Sequence, residues 1–479
     1  MRTRTSSINY PPGPTQKLPL VLFLNFLRDP IGMLINSSKY GDISHFKFGT
    51  QHIYFLNHPD YIRDVLVTYN TNFIKSRGLQ LAKKVLGEGL LTSEGNLHRN
   101  QRQLIQPAFH QDRITAYAAI MIEYITRMYN HWKDNDTLDV HKEFTQLTLA
   151  IVCKALFGFD IESEASEISK HVTALVEHFN RARMPLAELI EKLPLPSNRR
   201  FHSAKKQLDT IIYRIIAEHQ GARIVNGKDL NQHHHQGDLI SILLANQNIT
   251  PGNGNYVISN LQLKDNVITI FLAGHETVAN ALTWTFYLLS QNKREEEKLH
   301  DEVDSILDND GLPTDADIPK LEYTEKIFAE SMRLYPPAWA VGRQAIHDCR
   351  IGEYTIPAGS TILMSQYLVH RDPRFFPEPE RFSPERWNSD TRTNLPRFSF
   401  FPFGGGPRAC IGEPFAWTEG ILTIANIARR WKIELESGHP IVLQPCHIAP
   451  QIWYADEVNT KECIKWTNFA ELLKCFLYR

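Results

Sequence analysis

The sequence predicts a mainly α fold of the α+β class: one domain around a long central helix, with a small N-terminal lobe that contains β-structure. Three observations carry this. Apolar residues recur at helical spacing from Ile114 to about Gln220 and again from Leu261 to Ser290, and the second run of about thirty residues would reach roughly 45 Å as an α-helix. Short β-type runs, Ile43–Phe48 and Ile53–Asn57, flank Gly49-Thr50 as the arms of a hairpin would. A second β-type region, Arg343–Ser365, bends at Pro357-Ala358-Gly359.

Taken in order, Pro11-Pro12-Gly13-Pro14 cannot start a helix, and Pro59–Thr68 reads as one. Phe73–Leu91 is glycine-punctuated and reads as irregular, followed by a helix from about Gly95 that sets His98 and Arg102 four apart on one face. The helical scaffold that follows is broken at Met184-Pro185 and Pro194-Leu195-Pro196, and Gly227–Gly237, with its triplet His233-His234-His235, reads as a solvated loop. His275 and Glu276 at the centre of the longest helix argue against a membrane span there. Pro319–Tyr335 is a helix stopped by Pro336-Pro337, and Asp372–Trp387 is a proline-rich coil. The domain core is expected over about residues 11–454. The remainder, 455–479, carries a helical pattern (Phe469, Leu472, Leu473, Phe476) to which no role is assigned.

With 42% hydrophobic and 22% charged residues, a chain of 479 residues can bury a sizeable core, which does not favour disorder. A formal net charge of −1 excludes a general electrostatic attraction to nucleic acid or anionic membrane. Six cysteines without paired metal-ligand spacing fit a reducing compartment, and a cytoplasmic protein is expected. The basic start, Met1 to Ser7, is not followed by a long apolar run or cleavage site, and Leu18–Leu27 has half the ~20 residues a spanning helix needs, so no transmembrane segment is expected.

Two stretches break local rules in a way that points to chemistry. Phe401–Gly412 puts Cys410 in a turn with three consecutive glycines and two prolines, just before a helical pattern whose N-terminus favours a thiolate. Such a sulfur is a good iron ligand; the plain alternative is an inert buried thiol. Ala273-Gly274-His275-Glu276-Thr277 carries a mid-helix glycine that costs about 1 kcal/mol relative to alanine. Glu330 and Arg333 share a helix face and can pair.

The pattern Phe403-Gly404-x-Gly406-x-Arg408-x-Cys410-x-Gly412 resembles the haem-binding loop of the cytochrome P450 superfamily at every defined position, and the chain is similar to its soluble bacterial members. The resemblance implies a haem-thiolate fold whose long central helix lies over haem b, with Cys410 as the axial ligand of the iron. It assigns Phe403, Arg408, Arg102, His98, Arg343 and Gly274 to cofactor binding, with histidine at 98 where many members have tryptophan. It also implies a groove at residues 273–277, where the Thr277 hydroxyl bonds a carbonyl one turn back and a widened turn admits O2 and water. Thr277 would hold that water and Glu276 would relay protons from solvent. Glu330, Arg333 and Arg386 of Phe382-Ser383-Pro384-Glu385-Arg386 would form a structural clasp. The substrate-facing positions implied are Phe73–Leu91, Val267–Ala273, Ala338–Gly342 and Ala449–Ile452. They are mainly apolar, which favours a fatty acid, terpenoid or carotenoid.

The implied activity is monooxygenation. Electrons would come from a separate ferredoxin or flavodoxin with its NAD(P)H reductase, docking around Cys410 and Arg99. A haem-thiolate peroxygenase or isomerase would use the same cysteine without redox partners. A non-enzymatic haem sensor should add a signalling or DNA-binding segment, and none is evident.

Overall fold

The computed structural model describes residues 9–14, 26, 28–161, 164–182, 193–224, 238–247, 256–306 and 311–435. Helices are numbered α1 Pro30–Ser38, α2 Gly95–Ile105, α3 Gln111–Tyr129, α4 Val140–Phe157, α5 Ala165–Ala182, α6 Pro196–Ile224, α7 Leu239–Ala245, α8 Asn260–Gln291, α9 Lys293–Ile306, α10 Glu322–Leu334 and α11 Glu413–Arg430. Strands are β1 Ile43–Phe48, β2 Gln51–Leu56, β3 Phe73–Lys75, β4 Val341–Ala345, β5 Cys349–Ile351, β6 Tyr354–Ile356 and β7 Thr361–Met364. The mainly α reading holds.

The hairpin around Gly49-Thr50 is present, with Ile43 opposite Leu56 and Phe48 opposite Gln51. It is not a self-contained lobe. β2 pairs in parallel with β7, β7 pairs antiparallel with β4, and β4 with β3, giving one five-stranded sheet in the order β1-β2-β7-β4-β3. Strands distant in sequence therefore share one ladder. This corrects the irregular reading of Phe73–Leu91, because β3 finds its hydrogen-bond partners on β4, and short helices at Arg77–Leu81 and Lys83–Leu86 follow. A three-residue strand is stable only when a neighbour supplies its ladder, so local pattern could not show it.

α8 starts on a capping box, with Ser259 Oγ accepting the Gln262 N–H and Gln262 Oε1 accepting the Ser259 N–H. It is buried along most of its length, including Val267, Phe271, Val278, Leu282 and Trp284. A cluster of apolar side chains from α3, α4, α8, α10 and α11 surrounds it, each fully buried Leu, Ile or Phe contributing about 2 kcal/mol. Among the described residues no helix is long and apolar enough to cross a membrane. The expectations for Leu18–Leu27 (apart from Phe26), Met184-Pro185, His233–His235, Ala449–Ile452 and 455–479 lie outside the described residues.

Candidate active site

The Cys410 loop is shaped by its own backbone. Gly404 N donates to Phe401 O at 2.9 Å, Ala409 N to Gly406 O at 3.0 Å and Cys410 N to Phe403 O at 2.9 Å, which folds the loop into two stacked turns. Gly406 has φ +67°, and a Cβ there would stand 2.0 Å from the Leu66 carbonyl oxygen, so no other residue fits. The loop ends at α11, with Pro414 in its first turn. Cys410 presents surface to solvent-sized space while protein encloses it closely enough that desolvation raises its thiol pKa; the Gly412 N–H, hydrogen-bonded to the sulfur, pulls the other way. That combination describes a group on the wall of a recess.

The loop is anchored from behind. Phe401 N donates to His370 Nε2 at 2.9 Å, and burial holds His370 neutral, which this acceptor role requires. Arg333 Nη1 donates to the His370 carbonyl at 2.8 Å and grips Glu330 with two bonds, Nε to Oε2 at 2.8 Å and Nη2 to Oε1 at 2.9 Å. Glu330 also accepts from Arg386 Nε at 3.3 Å, Trp387 Nε1 at 2.9 Å and Ser383 N at 3.0 Å. Glu330 and Arg333 are both 0% exposed, so each charge survives only through these partners. Trp387 and His370 were not singled out in the sequence; neither lies on a motif with a charge to balance.

Basic side chains converge beside the loop from four elements: His98 and Arg102 on α2, Lys75 on β3, Arg343 on β4 and Arg408 in the loop itself. Arg102 Nη1 donates to the Ala409 carbonyl at 2.6 Å, and Arg408 Nη1 donates to the Ser93 carbonyl at 2.7 Å. The carboxylate among them is Glu94, which pairs with Arg408 and accepts the Lys75 N–H at 2.7 Å. Lys75 Nζ makes no hydrogen bond or ion pair among the described residues, although Lys75 is 6% exposed. Desolvation first, then Arg343 and Arg408, push its pKa far down. The same causes, desolvation and then Arg408, take Arg343 to about 10. His98 is pushed down to about 3 through desolvation and then Arg408.

Lys75 and Arg343 are buried, Arg102 and Arg408 half-buried, with Glu94 as the carboxylate among them, and a desolvated excess of positive charge is stable only against an anion. A group with two carboxylates fits it. Among the described residues no cluster of three or more His, Cys, Asp or Glu could hold a metal ion, so a metal bound through Cys410 must bring most of its own ligands. Haem meets both conditions. Lys75 and Glu94 were missed in the sequence, since only the β3–β4 pairing brings Lys75 beside Arg343.

On α8, Thr277 Oγ1 donates to the Ala273 carbonyl at 2.9 Å, one turn back. Thr148 Oγ1 of α4 donates to the His275 carbonyl at 2.9 Å. The helix is α throughout Asn260–Gln291, so the widened turn expected at 273–277 is not seen as a π-type interruption. Gly274 has a packing reason: a Cβ there would meet Val152 Cγ2 of α4 at 2.9 Å. Desolvation raises the Glu276 pKa from 4.5 to about 7.

Residues 11–449 match the family model described as Cytochrome P450. The chain is 36% identical over 419 residues to cyclooctatin synthase of Streptomyces melanosporofaciens, covering 87% of this chain and 88% of that one. It is 35% identical over 413 residues to cyclooctat-9-en-7-ol 5-monooxygenase of the same organism, covering 86% of each. Pentalenene oxygenase of Streptomyces avermitilis is 31% identical over 412 residues, covering 86% of this chain and 88% of that one.

Proposed function

We propose a specific role for this chain, which belongs to the cytochrome P450 family and is a haem-thiolate monooxygenase: it hydroxylates a cyclic terpenoid. The observation that carries the reading is the sulfur of Cys410 held beside a partly buried, under-compensated set of cations. The similarity to relatives named for a cyclooctat-type or pentalenene skeleton favours a terpenoid over a fatty acid or carotenoid.

In this reading Cys410 would ligate the iron of haem b, while Arg102, Arg343, Arg408, Lys75 and His98 would bind its two carboxylates. Bound there, the haem supplies oxygen activation, to which a thiolate ligand contributes by donating electron density to the iron. Thr277 spends its hydroxyl hydrogen on Ala273, which leaves its oxygen lone pairs to accept from a water and hold it in place. Glu276, with a pKa near neutrality, exists in both forms at pH 7 and so can take a proton from solvent and release it inward. Electrons arrive from a ferredoxin or flavodoxin with an NAD(P)H reductase, and the exposed Arg99 on α2 forms part of the docking face. The protein works in the cytoplasm.

The test is a reduced, CO-bound absorption spectrum followed by turnover with NADPH, redox partners and a panel of cyclic sesquiterpenes, diterpenes, fatty acids and carotenoids. Hydroxylation confined to the cyclic terpenes is the expected result. Lack of a thiolate-type band, or turnover of fatty acids alone, would overturn the reading.

A further inference from the structure

Residues Gly87–Ser93 have little regular structure, yet their backbone is gripped from two sides. From α8, Asp265 Oδ2 accepts the Glu88 N–H at 2.9 Å and Asn266 Oδ1 accepts the Leu90 N–H at 2.9 Å. From α2, Gln101 Nε2 donates to the Glu88 carbonyl at 2.8 Å, and Ser93 Oγ fixes Gln101 by donating to its Oε1 at 2.6 Å. Thr92 Oγ1 donates back to the Gly87 carbonyl at 2.7 Å. Asp265, Asn266 and Gln101 are 3%, 0% and 0% exposed, so each side chain depends on these bonds for its polar atoms, and leaving one unmet is costly.

The approach is as close as a polypeptide allows. A Cβ on Gly87 would lie 2.1 Å from Asp265 Oδ2, and one on Gly89 would lie 2.1 Å from Thr269 Oγ1. Thr269 in turn donates to the Asp265 carbonyl at 2.6 Å. The other carboxylate oxygen of Asp265 meets Lys264 Nζ at 3.2 Å, and the same ammonium reaches Asp209 of α6 at 3.7 Å. Asp265 therefore ties together the strap, the central helix and α6. A strap that only needed to cover apolar surface could do so with apolar side chains. Burying a carboxylate and two side-chain amides for the purpose is costly and is repaid only by directional bonds.

We propose that Asp265 and Asn266 are positioning residues for the substrate: they lock the Gly87–Leu91 strap onto the helix that carries Thr277, making the strap a fixed wall of the substrate pocket. The inference rests on the reading that this stretch faces the substrate, and deepens it. Asp265 precedes Thr277 by twelve residues, roughly 18 Å along the helix, so the latch touches no reacting atom and acts through the strap. A wall referenced to α8 selects by shape, which suits a rigid cyclic hydrocarbon. Loosening it would admit several orientations of one substrate.

The experiment uses the haem-loaded protein as wild type and as Asp265→Ala, Asp265→Asn and Asn266→Leu. Asn at 265 keeps an oxygen for the Glu88 N–H and serves as the conservative rescue. Hydrogen exchange over 87–92, the spectral dissociation constant for 4-phenylimidazole, and the product distribution from cyclic terpenes are measured. Expected for Asp265→Ala and Asn266→Leu are exchange faster by about tenfold confined to the strap, weaker phenylimidazole binding and several products in place of one, with Asp265→Asn close to wild type. Unchanged exchange, or faster exchange with unchanged ligand affinity and products, would overturn the latch. If Asp265→Ala does not fold, Asn266→Leu decides by the same readouts. A wild type that binds phenylimidazole but no terpene would overturn the terpenoid reading, and the phenylimidazole series would still judge the latch.

Discussion

Lys75 and Arg343 stand directly opposite one another on the antiparallel strands β3 and β4, 6% and 7% exposed. Like charges in that register repel, and Glu94 is the carboxylate within reach of both. In the proposed reading, the two carboxylates of the cofactor would complete the pair.

Replacing Lys75 by methionine should therefore separate stability from cofactor retention. Removing the repulsion should stabilise the haem-free protein by about 1–3 kcal/mol, read by denaturant unfolding. Haem transfer from the loaded variant to an apo-globin acceptor should become several times faster. Slower transfer would show that Lys75 does not hold the group.

Glu276 gives a pH signature. Its folded pKa is raised to about 7 from 4.5, so folding binds its proton more tightly. It is neutral and costs nothing below about pH 4.5, and it destabilises the fold progressively as pH rises to about 7. Above that the penalty is constant at about 3 kcal/mol. Glu276→Gln should match wild type near pH 4 and be the more stable above pH 7, while losing turnover by about a hundredfold. Equal stability at both pH values would refute the buried-acid assignment.

Thr277→Val keeps the shape of the side chain and removes the oxygen that holds water. Reductant should still be consumed while hydroxylated product falls about tenfold. The ratio of product to NADPH oxidised is the measurement, and an unchanged ratio would exclude the assigned role.

Glu330→Gln leaves Arg333 charged, buried and short of its carboxylate. The cost should be about 3–5 kcal/mol, seen as a lower midpoint of thermal unfolding and a lower yield of the thiolate-type CO band. Arg386→Lys, which keeps the charge but cannot reproduce the arginine fork, should cost less, because Arg333 supplies both short bonds from 0% exposed positions.

Arg99→Glu reverses a charge on the exposed face of α2. Reduction by a ferredoxin should slow at low ionic strength and recover toward wild type as salt screens the change. Kinetics unaffected at low salt would remove Arg99 from the docking face.

Much of this was legible along the chain because the relevant signals are local. The glycines and cysteine of residues 401–412, the capped and periodic run of α8, and the three-residue spacing of Glu330 and Arg333 each announce themselves within a few turns. Lys75, Glu94 and His370 do not: they belong to segments whose character comes from partners more than two hundred residues away or from a side chain buried behind a loop. The same holds for the Phe73–Leu91 stretch, irregular by composition but ordered by β4 on one side and Asp265 and Asn266 on the other.

The sequence by itself determined the mainly helical class, and it placed the cysteine loop before a helix and the Glu276-Thr277 pair within the central one, since periodicity and short motifs are properties of neighbouring residues. Tertiary structure alone decided how charge is shared. It set the directions in which His98 and Lys75 are pushed down and Glu276 is pushed up to about 7, because desolvation depends on what packs around a group and not on what precedes it.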